Sequence, residues 1–170
     1  MESEKENSMK EILDKLSSYN IFNYLLPGIL FVAIAKYFTD YNFIQENNFI
    51  GAFLYYFIGM VVSRFGSLTI EPLLKKIKFV KFADYSDFIS ASKKDDKIEL
   101  FSEVSNTYRT ITSMFVLLLL LKAYNYFDKQ YQFDSGISLT IVSCLILLMF
   151  LFAYHKQTAY ITKRIHNANK

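Results

Sequence analysis

Four stretches without a charged residue, Leu16 to Ala35, Asn47 to Ser63, Thr110 to Leu121 and Ser135 to Tyr154, divide a 170-residue chain whose charges crowd between them. A hydrocarbon core of about 30 Å takes roughly 20 helical residues at about 1.5 Å each. The first and fourth stretches meet that length, and the second nearly does. The third stops at Lys122, but a lysine near a helix end can stretch its ammonium to the headgroups, so the span extends to Phe127. Composition alone hides this, since 52% hydrophobic and 21% charged residues are close to ordinary values. A soluble bundle would place a polar residue every three or four positions, and Met114 to Leu121 and Cys144 to Ala153 have none.

The expected fold is therefore all-α: a single polytopic membrane domain with four transmembrane helices and amphipathic cytoplasmic helices. It has a leader over 1–20, spans at 21–39, 47–67, 110–127 and 135–155, a helical loop over 68–109 and a tail over 156–170. Residues 1–20 carry five acids against three lysines, and no small-residue cleavage site follows the first apolar run, which reads as a retained anchor. Sixteen of the nineteen Lys and Arg residues fall within residues 1–20, 64–109 and 155–170, leaving only Lys36, Lys122 and Lys129 for the other side. Cytoplasmic flanks hold such residues in excess, so both termini and the loop are expected inside. The charge of +3 and pI near 8.8 are then an orientation signal, and no nucleic acid partner is expected.

Local pattern adds detail. Ser8 and Glu11 have capping-box spacing ahead of Met9, Ile12, Leu13 and Leu16, a short surface helix. Pro27 and Gly28 in the first span predict a kink or break. Gly51, Gly59, Ser63 and Ser67 put small residues along one side of the second span, where helix backbones can touch within a chain or between chains. Pro72 suits the first turn of a basic helix with Ile70, Leu73, Leu74, Ile77 and Val80 on one stripe and Lys75, Lys76 and Lys78 facing away toward lipid headgroups. Asp96 with Glu99 predicts the cap of a long helix that becomes the third span, its apolar stripe of Leu100, Phe101, Val104, Tyr108 and Ile111 covered by the basic helix or by a partner.

Chemistry has few footholds. The five glycines stand alone, His155 and His166 lack neighbouring carboxylates, and the acids Asp84, Asp87, Asp95 and Asp96 read as a solvated loop. Cys144, the one cysteine, reads as a small packing residue inside the fourth span. No acid lies in any apolar span, which weakens a proton-coupled carrier. No cofactor, metal or catalytic residue is expected. The polar residues of most interest are Arg64, Glu71 and Arg109 at the inner ends of spans two and three, read either as headgroup anchors or as a shielded ion-pair cluster.

The segments YNIFNYLLPG (19 to 28), SRFGSLTIEPLL (63 to 74) and SEVSNTYRT (102 to 110) together resemble small, mostly uncharacterised four-span bacterial membrane proteins, some of them membrane subunits of antiphage defence systems of the Kiwa kind. The resemblance implies an inner-membrane location and a protein partner, and it transfers no site residue. The expected function is a non-enzymatic, homo-oligomeric membrane component that contacts lipids and senses membrane state or recruits a cytoplasmic protein through residues 68–109. An oligomeric pore is the alternative and a lipid-modifying enzyme the third reading. Reporter fusions at Lys170 and in the turn near Gln130 are expected to report opposite sides of the membrane; the same side for both would overturn the orientation.

Overall fold

A computed structural model describes residues 18–168, so the surface helix expected around Ser8 and Glu11 lies outside the described residues. Of the described residues 84% are helical and none is in a strand, the expected all-α class. Five helices follow in order: α1 over residues 18–38, α2 Asn48–Lys76, α3 Tyr85–Ser92, α4 Lys97–Tyr131 and α5 Ser135–Ala168. All but α3 are long and apolar enough to cross a membrane, and the chain is a multi-pass membrane protein. The described residues form two compact units, 18–63 with Thr110–Tyr126, and Arg64–Arg109 with 127–168.

Neither proline breaks its helix. Instead each is preceded by one wide π turn, Ile21–Leu25 ahead of Pro27 and Gly66–Ile70 ahead of Pro72. The Leu26 N–H donates to the Ile21 carbonyl and the Glu71 N–H to the Gly66 carbonyl, each five residues back. A proline ring in an α-helix collides with the carbonyl four residues before it. Adding one residue to the turn moves that carbonyl, from Asn23 or Leu68, out of the way, so the helix continues without a break. No break occurs at Pro27 and Gly28, and the helix widens locally ahead of the proline. Likewise Pro72 opens no separate helix: α2 runs through it and stops at Lys76.

In the first unit, α1 and α2 approach closely enough to exclude a side chain at two reciprocal points. Gly28 lies against the Tyr55 carbonyl and Gly59 against the Tyr24 carbonyl, and a Cβ at either would overlap that oxygen. Tyr24 and Gly28 are four residues apart on one helix, as Tyr55 and Gly59 are on the other, so each strand of the crossing offers one carbonyl and one bare Cα. Ala35, Val62, Met114 and Leu118 then form a buried core shared by α1, α2 and α4. The helix ends are closed locally. Lys122 donates to the Phe38 carbonyl at the C-terminus of α1, where the orphan acceptors and the helix dipole favour a cation, instead of reaching to headgroups. The Asn47 Oδ1 accepts from the N–H groups of Phe49 and Ile50 and starts α2.

In the second unit, α2 ends in a Schellman turn. The Phe79 N–H reaches the Leu74 carbonyl and the Lys78 N–H the Lys75 carbonyl, with Lys78 at φ 61°. Val80 and Lys78 therefore leave the helix on which their spacing had placed them. The short α3 lies within the helical loop expected over 68–109 and takes in Asp87, one of the acids that read as solvated loop. At the start of α4 the Asp95 carboxylate, not Asp96, accepts the Lys97 N–H, and Asp96 makes no capping hydrogen bond. The helix then runs unbroken for 35 residues. Asp134 caps α5 through the Ile137 N–H. Cys144 is exposed on α5, so it is not the packing residue expected.

The crossing yields a sharp contrast. Gly59→Ala is expected to destabilise the protein by about 2 kcal/mol or more, because the methyl meets a backbone oxygen that cannot yield. At Gly51 the added Cβ would meet only the movable ring of Tyr55 at 3.2 Å. Gly51→Ala is expected to be near neutral in detergent thermal melts; equal losses for the two would mean that α1 and α2 do not touch at Gly59.

Candidate functional site

The second unit gathers its charge around one carboxylate. Glu71, the residue that closes the π turn of α2, is held at 2.6 Å by the Arg109 Nη1 of α4 and at 2.8 Å by the Lys75 Nζ one turn on. The Lys156 Nζ of α5 stands 4.0 Å from the same carboxylate. The Glu71 side chain is only 9% exposed and that of Arg109 19%, so their attraction is screened little by water.

Lys156 is placed by the backbone. In the π turn the Glu71 N–H is committed to Gly66, and the next carbonyl, that of Ser67, would have to look five residues on to Pro72, which has no N–H to give. The Lys156 Nζ donates to that carbonyl at 2.7 Å and to the Ser67 Oγ at 2.8 Å. Its ammonium stands 5.9 Å from the centre of the Tyr160 ring, and Tyr160 in turn meets Tyr85 of α3. A proline in α2 thereby fixes a lysine of α5, and both bring α4 to Glu71 through Arg109.

The first unit has a neutral counterpart. Asn23, within the π turn of α1, accepts at Oδ1 from the Thr110 hydroxyl of α4 at 2.7 Å and donates through Nδ2 to the Ser63 hydroxyl of α2 at 3.3 Å. Thr110 and Ser63 also lie within 3.3 Å of each other. All three are at most 2% exposed, and in hydrocarbon such groups must satisfy one another.

The residues singled out from the sequence separate as follows. Of the small-residue row, Gly59 meets α1, Ser63 joins the Asn23 hydrogen bonds, Ser67 receives Lys156, and Gly51 is covered by the ring of Tyr55 on its own helix. Glu71 and Arg109 come together. The spacing of seven that pointed Glu71 toward Arg64 assumed α geometry throughout, and the intervening π turn rotates Glu71 by about 100° from that face. Arg64 is half-buried and contributes to the positive field at Lys156. Of the lysines assigned to the lipid surface, Lys75 bonds Glu71 and lies 4.0 Å from the Phe82 ring, Lys76 is exposed at the end of α2, and Lys78 sits in the terminating turn. Lys156, Asn23 and Thr110 were missed. Their signal was present: a lysine directly after the fourth apolar run, and polar residues inside or at the edge of apolar ones.

The chain matches no protein-family model, no curated protein and no solved structure. Among the described residues no group of His, Cys, Asp and Glu side chains could hold a metal ion.

Glu71→Gln is expected to lower stability by about 3 kcal/mol, since it leaves Arg109 and its neighbours without their shared counter-charge at a poorly hydrated site. Lys76→Gln is expected to change stability by less than about 0.5 kcal/mol. Matching melting shifts in the two variants would show that the cluster is solvated and carries no structural weight.

Proposed function

We propose that this chain is a non-enzymatic integral component of the bacterial inner membrane, with cytoplasmic termini, assembled as an oligomer, whose cytoplasmic layer recruits a protein partner in antiphage defence. The observation that carries this reading is the first part of α4. Leu100, Phe101 and Val104 share one face of that helix and are 56%, 65% and 40% exposed. They precede the apolar run that begins at Thr110, in a stretch with too many charges to enter hydrocarbon. An apolar face outside the lipid is a contact surface in search of a partner. The basic helix expected to cover it ends at Lys76.

The chemistry of the occupant follows from the border of that face. Glu99 and Glu103, one turn apart and exposed, line its edge. An amphipathic helix of a soluble protein, with Lys or Arg flanking its apolar stripe, fits both features. The Glu71 cluster supports this role by fixing the base of α4 through Arg109. The inside location of this layer is supported by the sixteen basic residues within 1–20, 64–109 and 155–170. The bacterial and defence setting is supported by the resemblance of the three segments quoted above.

Photo-crosslinking in cells from position 101, with position 148 in the fourth span as control, tests the proposal. The expected result is an adduct at 101 to one soluble protein, through a basic-edged amphipathic peptide, that is lost on Val104→Asp. Adducts to lipid alone at both positions would overturn it. So would specific ion flux through the purified protein in vesicles that survives Val104→Asp, which would favour a pore.

A further inference from the structure

One face of α5 continues past its apolar run and meets α2 and α3 turn by turn. Lys156 donates to the Ser67 carbonyl of α2, and Tyr160, one turn on, meets Tyr85 at the start of α3 with ring centroids 5.9 Å apart. Arg164, a further turn on, lines a cavity of about 240 Å³ together with Ile89, Ser92, Lys93 and Glu99. Ile89 lies one turn beyond Tyr85, so α3 and α5 run side by side and the two contacts before Arg164 set it at the cavity.

The lining suits a small polar guest. Ile89 and Ser92 are half-buried, whereas Lys93, Glu99 and Arg164 are exposed and within reach of solvent. Opposite charges line this one space, yet among the described residues none of the three side chains makes an ion pair or hydrogen bond. Arg164 and Lys93 therefore keep their N–H donors for a guest, and Glu99 keeps its acceptors. The Ser92 hydroxyl donates to the Ile89 carbonyl at 3.3 Å, which leaves its oxygen as a further acceptor. The volume lies below the roughly 300 Å³ at which pockets for drug-sized ligands begin, so the guest is small.

Depth separates a soluble guest from a lipid. Glu99 stands eleven residues before Thr110 and Arg164 ten after Tyr154, each on an unbroken helix. Both are about 15 Å beyond an apolar run along the helix axis, and a tilt of about 40° still leaves about 11 Å. Headgroups occupy about 5 to 8 Å on each side of the hydrocarbon. Two helices thus agree in placing the cavity in water. We infer that Arg164 and Lys93, with Ser92 and Glu99, form a binding site for a small soluble phosphomonoester that also carries a hydroxyl or amino group. The Arg164 fork takes two phosphate oxygens, Lys93 takes the third, and Glu99 accepts from the hydroxyl or amine. A phosphomonoester suits two cations better than a carboxylate does, because it carries a charge of about −1.5 to −2 at neutral pH on three acceptor oxygens.

The test titrates glycerol 3-phosphate into the full chain in phosphatidylcholine nanodiscs and reads binding by calorimetry. Saturable binding in the millimolar range is expected. Arg164→Gln should weaken it about tenfold and Arg164→Lys, which keeps the charge but loses the fork, by a smaller factor. Lys163→Gln, at an exposed neighbour that does not line the cavity, should leave it unchanged. Equal losses for Lys163→Gln and Arg164→Gln would overturn the site in favour of a general surface potential. Absence of saturable binding to the unmodified chain would overturn the phosphomonoester class, and a titration abolished by phosphatidic acid in the disc would make the ligand a lipid headgroup. Variants are compared only where the melting temperature is unchanged; should Arg164→Gln not fold, Lys93→Gln, expected to weaken binding about fivefold, carries the same test. Lys93, Lys163 and Arg164 lie outside the surface proposed for the protein partner, so failure here leaves that reading standing.

Discussion

A peptide carbonyl inside a bilayer has no water to fall back on, and this requirement organises the molecule. Two of its helices contain proline, which withdraws one N–H and crowds one carbonyl. The answer in both is a π turn, which keeps the helix continuous but shifts the hydrogen-bond pattern by one residue. In α2 that shift leaves the Ser67 carbonyl facing a proline, and the Lys156 ammonium fills the gap. A backbone deficit on one helix is met by a side chain from another. The position of the charge cluster follows from it, because Glu71 is the first residue after the same turn.

The same widening explains which parts of the fold could be read from residues alone. Spans are legible because hydrocarbon thickness imposes a length and an absence of charge, and Ser135 to Tyr154 states both directly. The continuity of α4 was legible too, since no proline or glycine interrupts it between Lys97 and Tyr131. Angular position was not. Facing arguments count in steps of about 100° per residue, and a single π turn between Arg64 and Glu71 shifts every residue beyond it. Gly59 was visible as a small residue at a useful spacing, whereas its partner Gly28 was hidden behind its proline neighbour and read only as a breaker.

The site was legible in its acid and one of its bases. Glu71 and Arg109 stand out as charges next to apolar runs. Lys156 occupies an equivalent place but looks like an ordinary positive flank, and only the orphan carbonyl of Ser67 distinguishes it. The Asn23, Ser63 and Thr110 hydrogen bonds were obscured for another reason: Asn, Ser and Thr are common near span ends, and only their three-way convergence, at 2.7 to 3.3 Å, reveals a shared purpose. Two polar clusters of different character result. One is neutral, while the other sets three cations around the Glu71 carboxylate.

The exposure of Cys144 has a use beyond packing. It is the sole thiol of the chain and the tenth residue of the twenty from Ser135 to Tyr154, which sets it about 15 Å from either end of that run. A thiol at that depth is shielded from water-borne reagents, while membrane-soluble ones reach it. The native protein thus already contains a single attachment point for a spin label or a fluorophore near the bilayer midplane. Such a probe reports its depth in the bilayer without any change to the sequence.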